Sequence, residues 1–156
     1  MRWSPADERR HDDAPGTESW GFELGTATTT GRIRLTFAAP AARVAFLADF
    51  VLPRAGRIVV ADEDVPVPRP AAGLEIRTEG LWASLYCETP FEHWTLGLEA
   101  FGLRVDDVGD VASWDDLVGE RVPVGFDLEW ERRGPPEPLA DGAGYAQAGV
   151  VVGDVL

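Results

Sequence analysis

The sequence predicts an all-β protein, an antiparallel barrel or sandwich, and three observations carry that expectation. Short runs of alternating apolar and polar residues, roughly nine in number, recur along the chain. Gly- and Pro-rich turn signals separate them at intervals of about ten residues. No stretch sustains a helical apolar period. The long meandering hairpins favour a barrel over a sandwich. At 156 residues the chain fits one domain with a real core, and no internal repeat is visible.

Residues 1–17 form a polar arm with Pro5, Pro15 and a charged run around His11, expected to lie over the domain as an arm or cap and not as a packed element. A His flanked by Asp residues reads there as solvated. Residues 18–156 form the β-domain. Glu18–Leu24 sets Trp20, Phe22 and Leu24 on one face, and Gly31–Phe37 sets Ile33, Leu35 and Phe37 against Arg32, Arg34 and Thr36. Ala38–Pro40 breaks the second run. Arg43–Leu52 is nearly continuously apolar, and its length between Pro40 and Pro53 favours a strand. Arg57–Ala61 is β-branched and ends in Asp62-Glu63-Asp64. Adjacent carboxylates on extended backbone point to opposite faces, so the triplet predicts a solvated turn and not a metal site. Pro66, Pro68 and Pro70 cannot supply ladder donors, which predicts a loop or an edge.

Leu74–Thr78 leads into the densest stretch, Gly80–Gly102. Pro90 suits the second position of a turn over Thr89–Glu92. That turn pairs Glu88 with His93, Tyr86 with Thr95, Ser84 with Gly97 and Trp82 with Glu99. The opposite face carries Leu81, Ala83, Leu85 and Cys87 against Trp94, Leu96, Leu98 and Ala100, a core face on which Cys87 reads as a small buried hydrophobe. Residues 105–119 read as an acidic connection with one helical turn near Trp114–Leu117, without the spacing of a calcium loop. Arg121–Glu131 alternates cleanly, with Val122, Val124, Phe126, Leu128 and Trp130 on one face. Arg133–Gly144 is a linker whose Gly142-Ala143-Gly144 follows no strand, so a dinucleotide loop is excluded. Tyr145–Leu156 is a last strand, rich in valine, whose unpaired apolar edge needs a cover.

Composition narrows the function. The formal net charge of −13 disfavours nucleic acid and anionic membrane surfaces as partners. Every basic residue is Arg, so lysine Schiff-base chemistry is excluded. A single Cys suits a reducing cytoplasm, and no apolar run reaches the roughly twenty residues that span a bilayer. No cofactor motif is present, and two distant His residues do not make up a metal set.

The mixed face of the central hairpin concentrates Trp82, Tyr86, Glu88, His93 and Glu99, aromatic walls with ionisable groups between them. Three roles fit this composition. It can be an outer surface with a Glu88–His93 cross-strand pair. It can bind a small molecule, with the rings for contact and the polar groups for orientation. It can also be catalytic, with Glu88, Glu99 or His93 as proton donor.

The segments ESWGFEL (18–24), GLWASLYCETPFEHWTLGLEAFG (80–102), RVPVGFDLEWE (121–131) and GVVVGDVL (149–156) together resemble the N-terminal part of actinobacterial proteins in the lipocalin-like, carotenoid 1,2-hydratase-related superfamily. The resemblance covers nearly the whole chain and implies an antiparallel lipocalin or calycin-like barrel with few short helical turns. It implies a cavity for a hydrophobic molecule such as an isoprenoid or other lipid, and, since some members hydrate or cyclise alkenes, an alternative enzymatic role. Such proteins carry two barrel halves. Here that implies a domain lacking its second half, or a half-protein assembling with a partner or a second copy through Val150–Leu156.

Overall fold

The computed structural model describes residues 3–12, 16–38, 42–106 and 114–155. It is an all-β antiparallel barrel, nearly closed. The strands of its sheet are β1 (Thr17–Gly25), β2 (Thr30–Ala38), β3 (Arg43–Leu52), β4 (Gly56–Pro66), β5 (Glu75–Thr78), β6 (Leu81–Thr89), β7 (His93–Val105), β8 (Glu120–Arg132) and β11 (Gly149–Val155). A separate two-stranded ribbon joins β9 (Glu137–Pro138) to β10 (Tyr145–Ala146). The chain runs up and down, each strand antiparallel to the one it pairs with.

Strand β7 is the hub. One of its edges pairs with β6 along His93–Ala100 and with β4 along Leu103–Val105, while the other pairs with β8 from His93 to Arg104. The β5–β6 hairpin fills the fork between β4 and β7. Beyond β8 the sheet ends on β11, and beyond β2 it ends on β1. No ladder joins β1 to β11 among the described residues.

Alternation places the core. Ile33, Leu35 and Phe37 of β2, Leu81, Ala83 and Leu85 of β6, Trp94, Leu96 and Leu98 of β7, and Val122 to Leu128 of β8 at every second position are buried together inside the barrel. Rings bridge opposite walls: Phe22 of β1 meets Trp94 of β7 edge-on at 5.5 Å, and Phe50 of β3 meets Phe126 of β8 at 5.6 Å. A satellite cluster of Val59, Val105 and Leu117 lies outside the barrel under the 3-10 turn Trp114–Asp116.

Several expectations are refined. Asp62-Glu63-Asp64 is not a turn. It extends β4, which carries one extra residue opposite Val44–Phe46, with Asp62 half-buried and Glu63 and Asp64 exposed. The prolines that follow lead into a 3-10 turn at Pro70–Ala72. The final stretch is two strands, not one. The chain turns a corner at Gln147–Ala148, where the Ala148 carbonyl accepts from the Arg133 and Gly134 N–H groups. β8 covers one edge of β11, and Gly153 at φ +147 is pressed so close to the β8 backbone that a Cβ would lie 2.0 Å from the Asp127 carbonyl oxygen. The helical turn near Trp114 is present. The break expected over Ala38–Pro40 falls largely on residues 39–41, outside the described residues, as do 107–113 of the long acidic connection and Leu156.

Candidate functional site

The hairpin register holds for Tyr86 with Thr95, Ser84 with Gly97 and Trp82 with Glu99. It fails at the turn. His93 pairs with Thr89, and Glu88 is the extra residue of a bulge between Cys87 and Thr89. Glu88 therefore accepts from the Thr95 hydroxyl at 2.9 Å, and the His93 Nε2 lies 3.7 Å from a Glu129 carboxylate oxygen on β8. That Nε2 is buried without a hydrogen-bond partner.

All five residues of the mixed face lie on the outside of the barrel, because the opposite parity faces the core. Tyr86, Glu88 and Glu99 are exposed. Trp82 is half-buried because its ring lies flat on Gly97, where a Cβ would come within 2.8 Å of it. His93 alone of the five lines a groove open to solvent, with Thr89, Glu92, Glu131, Arg132 and Arg133. The structure does not gather these five residues into an interior pocket, since the barrel interior beside them is filled by side chains.

A different cluster sits at the barrel mouth, the end that carries the β6–β7 turn. The arm crosses this mouth. Its 3-10 turn, Pro5–Glu8, starts where Ser4 N–H donates to Asp7 at 2.6 Å, with Pro5 at the first position. The turn delivers Glu8, only 5% exposed, into the mouth. One carboxyl oxygen, Oε2, accepts from the Phe91 N–H at 2.7 Å and from the Cys87 thiol at 3.5 Å. The other, Oε1, accepts from the Tyr145 hydroxyl of β10 in a short hydrogen bond. Among the described residues, no Arg or His lies within ion-pair distance of this carboxyl.

Rings wall the cluster. Tyr145 contacts Trp3 at 5.0 Å and Phe91 at 5.6 Å, and Trp20, edge-on to Phe37, donates its indole N–H to the Glu8 carbonyl. Burial, with the neighbouring Glu8 carboxyl, pushes the Cys87 thiol up to about 12. The same two causes raise the Tyr145 hydroxyl well above the ordinary phenol range. Both groups therefore stay protonated at neutral pH and remain donors.

Phe91 occupies the third position of the Thr89–Glu92 turn at φ +62, in the left-handed region that favours Gly or Asn. With Pro90 before it, this is the type II pattern. Gln147 clamps the turn by donating to the Phe91 and Gly134 carbonyls, both at 2.8 Å.

The rest of the arm is anchored separately. Arg10 lies over the Phe37 ring and donates to the carbonyls of Pro68, Arg69 and Gly73, acceptors that the proline-rich loop leaves free of ladder pairing. His11 is not merely solvated, since its ring and its N–H both bind the Glu18 carboxylate. Sequence reasoning reads the arm as an unpacked segment, whereas its Glu8 is buried, and it misses Glu8, Tyr145, Phe91 and Gln147. The one local signal was Ser4-Pro5-Ala6-Asp7, a helical-turn start inside an otherwise polar arm.

Compared with models of known families, with curated proteins and with solved structures, the chain matches none. The nearly closed antiparallel barrel is consistent with a lipocalin-like fold. Among the described residues there is no group of His, Cys, Asp and Glu able to hold a metal ion, and no helix long and apolar enough to cross a membrane.

Proposed function

We propose that this barrel binds a small hydrophobic molecule and receives it at the mouth covered by the arm. The observation that carries the reading is the construction of that mouth. Its walls are the rings of Trp20, Phe37, Phe91 and Tyr145, and its cover is the short 3-10 turn of the arm, not a strand of the sheet. Ring surface supplies contact area for an apolar ligand, and a few polar groups at the rim give it orientation. The filled core beneath limits the ligand to the volume that the arm vacates. The resemblance to lipocalin-like proteins points to the same ligand class.

Titration of the intrinsic tryptophan fluorescence with terpenoids and fatty acids, together with mass spectrometry of solvent extracts, tests this. Trp3 and Trp20 report directly on the mouth, and saturable quenching is expected with at least one apolar compound. Finding no quenching ligand and no co-purifying molecule would end the proposal.

A further inference from the structure

The hydrogen bonds of the Glu8 carboxyl run one way. The arm supplies the acceptor, and the barrel supplies every donor: the Phe91 N–H from the β6–β7 turn, the Cys87 thiol from β6 and the Tyr145 hydroxyl from β10. These donors belong to elements that pair without the arm. Both carboxyl oxygens are engaged, so the set matches a carboxylate in shape and not merely a single carbonyl.

The Phe91 backbone points the same way. Phe91 at φ +62 lies in the left-handed region, which a bulky residue keeps only where its surroundings hold it there. A type II turn reverses the central peptide relative to type I and so decides where the N–H of its third residue is aimed. Here that N–H is aimed at the Glu8 carboxyl, and the Gln147 clamp on the Phe91 carbonyl holds it there.

We propose that the Phe91 N–H, Tyr145 hydroxyl and Cys87 thiol form a binding site for the carboxylate of a small apolar monocarboxylic acid. Glu8 occupies this site as a tethered stand-in that the ligand displaces. The proposal rests on reading the mouth as a hydrophobic-molecule site and names the ligand class. Neutral donors suit a single carboxylate charge, whereas a phosphate would call for cationic donors, and among the described residues none donates to this carboxyl. Displacement needs only residues 3–8 to lift. Arg9 is extended at φ −95 and ψ 155 and separates the Pro5–Glu8 turn from the Arg10 and His11 anchors, which stay in place. As Trp3 leaves with the turn, it uncovers the Tyr145 ring for the ligand's apolar body.

A tethered competitor lowers apparent affinity by the fraction of time it leaves the site open. Weakening it must therefore tighten ligand binding, the reverse of what a residue that contacts ligand would do. The test titrates the full chain with dodecanoate and with its methyl ester, following tryptophan fluorescence. Dodecanoate is expected to bind about tenfold more tightly than the ester, as hydrogen bonds to a charged group allow. Glu8→Ala, and the milder Glu8→Gln, are expected to tighten dodecanoate binding by roughly tenfold and a few-fold respectively. Tyr145→Phe should erase the preference for the acid. Dodecanoate binding no tighter in either Glu8 variant than in the natural chain overturns the proposal. Equal binding of acid and ester in every variant, or binding of neither, overturns the carboxylate site, while the hydrophobic reading stands or falls by the wider panel of terpenoids and fatty acids.

Discussion

Glu8 and Asp49 are the two buried acidic side chains among the described residues, at 5% and 7% exposure, and they are kept in opposite ways. Asp49 lies on the outward face of β3 with Arg32 and Arg57 of the neighbouring strands on either side, at 2.8 to 3.2 Å, and Trp114 stacks on Arg32. Glu8 sits at the mouth with neutral hydrogen-bond donors only and belongs to a 3-10 turn of the arm, not to a strand of the sheet. A carboxylate between two guanidiniums on adjacent strands is fixed, because losing it leaves two like charges side by side. One held by an amide, a phenol and a thiol can leave, because the donors it abandons are uncharged and another acceptor can take them. The contrast separates a structural carboxyl from an exchangeable one.

The largest effect should follow from removing the fixed one. Asp49→Ala is expected to cost roughly 3 kcal/mol of stability in urea unfolding, at the low end for a broken buried pair because both arginines still reach water. Glu8→Ala should cost about 1–2 kcal/mol, the worth of its hydrogen bonds. Hydrogen exchange should then quicken at Trp3–Glu8 and at the Phe91 amide while the barrel strands stay protected. An equal loss of protection across β2, β3 and β4 would remove the distinction between the two sites.

A pH test sharpens the comparison further. The unfolded Cys87 thiol releases its proton near 9.0, whereas the folded one holds it to about 12. Across that window the native state binds a proton that the unfolded chain has lost, so stability falls as pH rises from 9 toward 12 and the contribution is complete below 9. Tyr145 acts in the same direction. The urea midpoint should therefore drop as pH rises from 9 toward 12, and Glu8→Gln should shrink the drop by removing the neighbouring carboxylate. An unchanged drop in Glu8→Gln would mean that burial alone sets both groups. The smallest effect expected is on thiol alkylation near pH 8, slow in the natural chain and several-fold faster in Glu8→Ala, as the arm ceases to shield Cys87.

The barrel was legible because strand parity is a local property. Leu81, Ala83 and Leu85 against Trp82, Ser84 and Tyr86 can be sorted from the sequence alone, and three of the four hairpin pairs follow from the turn. The bulge at Glu88 left no trace, since one inserted residue preserves alternation on both sides of it. Asp49 was lost inside an apolar run because its partners, Arg32 and Arg57, come from other strands. Glu8 was lost for the same reason on a longer scale. The mixed hairpin face has the composition of a pocket wall, yet composition does not say which side of a sheet faces inward, and the filled core lies on the other side.

The hydrogen bond from Tyr145 to Glu8 joins residues 137 positions apart. A ribosome adding about 5–20 residues per second needs roughly 7–30 s to travel that distance. Throughout that interval the first turn of the chain has already been made and its carboxyl has no complete receptor. Docking of the arm therefore waits for the β9–β10 ribbon, and once both are made Glu8 competes for the mouth at the high effective concentration that its tether gives it.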